Sequence, residues 1–543
     1  MAPTGDSQTD SGHNHDGSAL SQLIERTALT TNAALTLFTF SCVAMGGFMF
    51  FHSLSIDDEI SLFNSDNVAI AHQGRFLIAA YNSIAQGVIP FFPYVLLATS
   101  YLASYTLILF CHGLKHNWRT HLAFLAFILF PVNWLNQEFS GLAGSLAIGQ
   151  LATCVAAYLS IGKSQKNVHA PIWRDLSPLA ITCLVVAIST YQSLVTLYLV
   201  ICFGQLIFYR RLNGNTDNHS ARGENHKTSR PLLCFFLTAT IAALLQSLLL
   251  KAFLAISRTE VRHINIYFAN PYFMLRTQPL QYIRGNLEQL AKTYFTPGVF
   301  YGHYLFGFTL VLVGAVFTYA IIFRHRERQL ILSRYALLQG WGALGLLLLL
   351  LATPLSLNII SKPYRLPMRS FLALPYIAWL GLIIMLELSP YARVAFRRLM
   401  PIMLGSILII QSLVAISHYY AARAFNFRAD QLVVASIVSS MVESKQTPSK
   451  QIRWLASKGH LERTIPYQTA WYSSAGASFF GWDQGNTTRM AAWIRAMGIE
   501  GIEALSPTKA KTLAPVWETM ASWPAPGSIL VRDDVVMVKF GQD

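Results

Sequence analysis

Charge is what this chain has least of. Only 12% of its 543 residues are Asp, Glu, Lys or Arg, about half the share of a soluble domain, and 26 acidic residues face 41 basic ones. That composition excludes an ordinary water-soluble enzyme. Cysteine is scarce too. The six (Cys42, Cys111, Cys154, Cys183, Cys202, Cys234) lie in or beside apolar runs, and the C-terminal region has none, so neither a disulfide framework nor a cysteine metal site is expected. No Gly-rich phosphate loop follows a strand, which argues against a folded nucleotide-sugar site. The first 31 residues lack a basic stretch leading into a short apolar core. They are expected to be a disordered tail rather than a signal peptide. No internal repeat is visible, which weakens a transporter reading.

What is abundant is apolar sequence: 53% of residues, with a mean hydropathy of +0.41. Runs of roughly 17 to 25 apolar residues read as membrane helices. Eleven are expected, at about 32–51, 88–114, 119–136, 140–161, 177–190, 192–209, 231–256, 303–323, 336–353, 370–387 and 401–417. Residues 177–209 read either as one long helix or as two short ones, and only the split keeps the loop charges alternating. With the tail 1–31 cytoplasmic, most of the +15 net charge falls in cytoplasmic loops, as the positive-inside rule requires. The basic excess therefore points to a bilayer and not to nucleic acid. The outer loops are then 52–87, 257–302 and 354–369. The last is short, cationic and against the rule, which marks it for function.

An odd number of spans leaves residues 418–543 outside, in the periplasm of a bacterium. There "QIRWLASKG" reads as a strand, "RMAAWIRAMGIEGI" as a helix with a glycine stop, and "GSILVRDDVVMVKFGQ" as a hairpin turning at Asp533-Asp534. The expected fold class is mainly α: a polytopic domain over 32–417 and a small α/β domain over 418–543.

Against this background "SIDDEISLFNSDN" stands out. It opens the first outer loop at the membrane edge with Asp57, Asp58 and Glu59. A solvated flank is one reading. The other is chemistry on a lipid-phosphate-linked sugar, whose carbon chain lies in the bilayer and whose phosphosugar lies at the surface. A carboxylate, Asp57 or Asp58, would take the acceptor hydroxyl's proton. Lys362, Arg365 and Arg369 in "SKPYRLPMRS" would hold the departing phosphate. "FLIAAYNSIAQGVI" in the same loop reads as an amphipathic helix at the interface.

The "DDE" after the first membrane helix, the following Gln73-Gly74-Arg75, Tyr191-Gln192 at a helix end, "PYRLPMR" and the ending "WPAPGSILVRDDVVMVKFG" together resemble the Gtr-type, O-antigen serotype-converting glucosyltransferases of the GT-C superfamily. The resemblance runs from about residue 33 to 541. It implies an undecaprenyl-phosphate-linked hexose donor, usually glucose, a lipid-linked polysaccharide acceptor, inversion at the anomeric carbon, and an essential acidic residue at Asp57 or Asp58. It also implies a multi-pass protein of the bacterial inner membrane that modifies lipopolysaccharide from the periplasm.

Further candidates for substrate contact are Glu59, Gln73, Arg75, Glu138, Tyr191, Gln192 and Lys539, the last if the C-terminal domain folds over the cavity. For each, a solvated or anchoring role is the alternative. No cofactor is required by the sequence, and a divalent metal is left open. Rival readings are a flippase of lipid-linked sugars, a ligase or polymerase using diphosphate-linked donors, and a non-catalytic assembly protein. The flippase calls for ionisable groups along a buried path, whereas the helix interiors are nearly uncharged.

Overall fold

The computed structural model describes residues 25, 27–50, 54–56, 58, 70–71, 73–85, 91–164, 172–212, 229–257, 276–296, 305–327, 344–359, 368–388, 395–444, 452–461 and 477–541. Most of the polar tail lies outside them. The helices in chain order are α1 (Thr31–Phe50), α2 (Phe76–Ala85), α3 (Phe92–Cys111), α4 (Trp118–Ile128), α5 (Pro131–Gln137), α6 (Ser140–Ser164), α7 (Pro178–Thr190) and α8 (Leu194–Leu212). There follow α9 (Ser229–Ser257), α10 (Pro279–Phe295), α11 (Phe306–Glu327), α12 (Leu374–Leu388) and α13 (Ala395–Ser444). A further helix at 344–352 winds into a 3-10 turn at Thr353–Ile359.

Among the described residues five helices are long and apolar enough to cross a membrane: Thr31–Met49, Phe92–Cys111, Ser140–Gly162, Arg230–Ile256 and Leu399–Ser444. Other apolar helices, α7, α8, α11 and α12 among them, are shorter. α6 is central, with α3 and α7 packed against it.

Two breaks in the helices shape the site. The stretch 119–136, expected as one helix, is two. Asn117 caps α4 by accepting from the backbone of Arg119 and Thr120, while the Thr120 hydroxyl accepts from Asn117 N, a reciprocal cap. The helix then stops because Phe130 precedes Pro131 and takes an extended conformation, as a residue before proline prefers. Pro131 starts α5 in the first-turn position where its missing N–H costs nothing. The stretch 177–209 is split as the loop charges require, with Tyr191 extended between α7 and α8 (φ −150°, ψ 119°).

α2 lies on the stretch read as amphipathic. α10, in the expected outer loop 257–302, was not foreseen. It buries Tyr282 and Tyr294 while Leu280, Ile283 and Leu287 stay exposed at i, i+3 and i+7, a pattern suited to the bilayer interface.

The 50 residues of α13 make a rod of about 75 Å, more than twice the hydrocarbon thickness. It runs without interruption through position 417/418, where the sequence reading ends the membrane region, into the core of the C-terminal domain. The described residues of that domain form a four-stranded sheet of β1 (Trp454–Lys458), β2 (Glu503–Ala504), β3 (Ile529–Arg532) and β4 (Val535–Lys539), in the order β2-β1-β4-β3. β1 is parallel to β2 and β4, and β3–β4 is a hairpin pairing Ile529 with Val538. Its turn is at Asp533-Asp534, with Asp533 at φ 55°. The helix Thr487–Ala496 ends just before Gly498 at φ 89°. Val433, Val434 and Ile437 of α13 share this domain's core with Trp493 and Phe480. Ile56, from the segment that follows α1 and only 2% exposed, is buried in the same core.

Candidate active site

Asp58 sits two residues after Ile56 in a tight turn. Its N–H donates to Ser55 O (3.0 Å), and its Oδ2 accepts from the Ser55 hydroxyl (2.8 Å) and N–H (3.3 Å). The carboxyl is buried, 4% exposed. Burial pushes its pKa up to about 6, against the Ser55 donors, the Arg423 cation and a backbone N–H of Ser140. Removal from water disfavours the charged form and the donors favour it.

Arg423 comes from α13. Its guanidinium lies 5.3 Å over the Phe48 ring, and Nη1 donates to the Tyr419 hydroxyl (3.4 Å). Phe48 also stacks on Tyr94 (5.9 Å), and Tyr419 packs on Trp134 (4.8 Å). The charges that face the guanidinium are those of Asp58 and Glu138, with the phenols of Tyr94 and Tyr419. Glu138 is 2% exposed at the end of α5.

A second group gathers round Tyr191. The Arg75 guanidinium covers its ring at 4.9 Å, and its hydroxyl shares a hydrogen bond with Ser370 Oγ (3.4 Å). Arg369 hydrogen-bonds the phenol and lies 4.5 Å over Phe139. Burial alone would raise the phenol's pKa, yet the two guanidiniums hold it below its ordinary value. The Gln73–Arg75 turn is tied down from the α7–α8 junction and from α9. Gln192 Nε2 donates to Gln73 O (2.7 Å), and Gln246 Nε2 donates to Gly74 O (2.9 Å).

The two groups are joined by the five residues that the Pro131 break turns into the site. Asn136 Nδ2 donates to Arg369 O (2.9 Å), Gln137 O accepts from Tyr94 (3.1 Å) and Glu138 faces Arg423. Phe139 carries Arg369, and Ser140 N–H reaches Asp58. The result is a buried carboxylate on one side and paired guanidiniums on the other, suited to deprotonating one group and binding an anion.

Of the residues singled out in the sequence, the structure brings Asp58, Arg75, Glu138, Tyr191 and Arg369 into this assembly, with Gln73 and Gln192 bonded to each other behind it. Asp57, Glu59, Lys362 and Arg365 lie outside the described residues. Lys539 is held within the C-terminal domain, where Nζ donates to Trp517 O and Met520 O (both 2.8 Å). The sequence reading missed Arg423, Asn136 and Gln246. Arg423 had a signal: Tyr419, Tyr420, Asn426 and Asp430 stand at i−4, i−3, i+3 and i+7, one face of a helix. Among the described residues no three His, Cys, Asp or Glu side chains are grouped to hold a metal, and the cation facing both carboxylates is a guanidinium.

Residues 46–386 match the family described as Glucosyl transferase GtrII. The chain belongs to that family. The GtrII segment includes Asp58, Arg75, Glu138, Tyr191 and Arg369, and it ends before α13, so Arg423 and the C-terminal domain lie beyond it. Searches of curated proteins and of solved structures found no match. GtrII membership and the apolar helices make this a membrane-associated glycosyltransferase.

Proposed function

We propose that this protein is an inverting glycosyltransferase that moves a hexose, glucose in the usual case, from undecaprenyl-phosphate-hexose to a lipid-linked polysaccharide such as O-antigen. The transfer takes place at the periplasmic face of the bacterial inner membrane. The observation that carries the reading is the meeting of a buried carboxylate, Asp58, with the guanidiniums of Arg75 and Arg369 across residues 136–140. Asp58 is the base. It takes the proton of the acceptor hydroxyl as that oxygen bonds to the anomeric carbon. The bond from that carbon to the phosphate oxygen breaks with its electron pair, and the lipid phosphate gains about one negative charge. Arg75, Arg369 and the Tyr191 hydroxyl stabilise that charge, joined by Lys362 and Arg365 of the same loop. No proton is needed on a phosphate leaving group. Attack on the face opposite the phosphate inverts the configuration.

Arg369 stands at the head of α12, whose Ile377, Leu380 and Ile384 line an apolar crevice with Leu312 and Leu350. An apolar crevice of this kind suits a polyprenyl chain. With α2 left at the interface, the five long helices, the broken α4–α5 pair taken as one, and α7, α8, α11, the helix at 344–352 and α12 make eleven spans, with the N-terminus cytoplasmic and the 418–543 domain periplasmic.

The test is hexose transfer by protein reconstituted with undecaprenyl-phosphate-glucose and a lipid-linked polysaccharide, with donor binding measured separately. Asp58→Asn should abolish transfer and leave donor binding intact. Transfer by this variant at the wild-type rate would sink the proposal. Transfer only from a diphosphate-linked donor would point instead to the ligase or polymerase class.

A further inference from the structure

Arg423 lies outside the GtrII segment, yet α13 delivers its guanidinium to the aromatic wall beside Asp58. A half-buried cation among Phe48, Tyr94 and Tyr419 is costly without opposite charge, and the acidic groups facing it are Asp58 and Glu138. Its place on α13 is fixed from further along the helix. Asp430, two turns on and on the same face, accepts from the Ser478 hydroxyl and from Phe479 N–H (2.8 Å) in the C-terminal domain. The same domain buries Ile56 beside the Asp58 turn. One folded unit therefore anchors both the turn that carries the carboxylate and the helix that carries the cation.

We propose that Arg423 is a positioning residue for the Asp58 carboxylate: its charge holds that group ionised and oriented for proton abstraction. The inference rests on the reading of Asp58 as base. The groups facing the carboxylate are the Ser55 hydroxyl and N–H on its own turn, the Ser140 N–H at the head of α6, Arg423 on α13 and the Tyr94 phenol on α3. Glu138 on the α5 end draws on the same guanidinium. Removing the cation leaves burial less opposed, so Asp58 holds its proton to higher pH. Removing Glu138 leaves the cation to Asp58 alone and does the reverse.

The experiment is the pH dependence of hexose transfer in the reconstituted full chain, comparing wild type with Arg423→Gln, Arg423→Lys and Glu138→Gln. Arg423→Gln should move the acid limb up by about one pH unit, with a loss at pH 6 of about fivefold that recovers by pH 9. Arg423→Lys, which keeps the charge, should leave the limb near its wild-type position, and Glu138→Gln should move it down. A uniform loss at every pH in Arg423→Gln would overturn the proposal. So would weakened donor binding with an unmoved limb, which would make Arg423 a substrate ligand. If Arg423→Gln does not fold, an unmoved limb in Glu138→Gln overturns it equally. Wild-type transfer by Asp58→Asn would refute the base itself. An inactive Asp58→Asn beside an unmoved Arg423→Gln limb removes only the role of Arg423.

Discussion

The buried position of Asp58 ties activity and stability to pH in opposite directions. Its pKa in the folded chain is about 6, against 3.8 for a free aspartate. Between these values the unfolded chain has lost the proton while the folded chain still holds it. The folded state therefore binds more protons, and the contribution of this group to stability falls as pH rises from about 4 to about 6, then levels off. The difference of roughly two pH units corresponds to about 3 kcal/mol. With Asp58 as the proposed base, transfer needs the ionised form, so its rate should rise across the upper part of that window, from about a tenth of maximum at pH 5 to about half at pH 6. The assay is a pair of profiles from pH 4 to 8 on one reconstituted preparation: initial rate of hexose transfer, and melting temperature. In Asp58→Asn the activity should vanish and the stability slope should shrink, the remainder coming from Asp430, whose carboxyl burial raises to about 7. An acid limb below about pH 4.5, or a melting profile in Asp58→Asn with the same slope as the wild type, would refute the argument that burial sets this group.

Three further perturbations probe the supports of the site. Gly74→Ala places a Cβ at φ +78°, 2.7 Å from Gln246 Nε2. It should cost about 1–3 kcal/mol of local strain and displace Arg75, read as weaker donor binding. Arg369→Ala removes one of the two guanidiniums at the Tyr191 phenol and should lower kcat about a hundredfold, with donor affinity measured alongside; an unchanged kcat would exclude it from leaving-group stabilisation. Asp430→Ala leaves the Ser478 hydroxyl and Phe479 N–H without their buried acceptor. It should destabilise by about 2–4 kcal/mol, seen as a lower melting temperature of the C-terminal domain and faster proteolysis there.

The parts of the site legible in the sequence were those marked by topology. Asp58, Arg75, Glu138, Tyr191 and Arg369 were chosen because polar residues at the outer ends of apolar runs share one surface, and the structure brings them together. Spacing alone could not show which of them touch. The contact of Arg75 with Tyr191 depends on the Gly74 turn and on Gln192 and Gln246, which reach it from the α7–α8 junction and from α9. The α4–α5 break was written in Phe130-Pro131 but was overridden by the length of the apolar run. Without it, residues 136–140 would continue along the α4 axis and the link between carboxylate and cations would be lost. Arg423 was missed because the last span was ended at 417. "YYAARAFNFRAD" was then read as the start of a separate unit, when it is the middle of one helix. Lys539 alternates with Val536 and Val538 as a strand should, but strand periodicity gives the face and not the partner, and its ammonium serves the carbonyls of Trp517 and Met520.

The burial of Ile56 in the C-terminal core has a consequence for biosynthesis. The chain is made from its N-terminus, so the turn that carries Ile56 and Asp58 is synthesised long before the last hundred residues are. Until β1, the Thr487–Ala496 helix and β4 have assembled, Ile56 has no apolar site to enter and the Asp58 turn has nothing to close it. A nascent or prematurely ended chain would thus hold its apolar helices and Arg75 and Arg369 while lacking the core that buries Ile56. With Asp58 as the proposed base, competence for transfer would wait for the C-terminal domain.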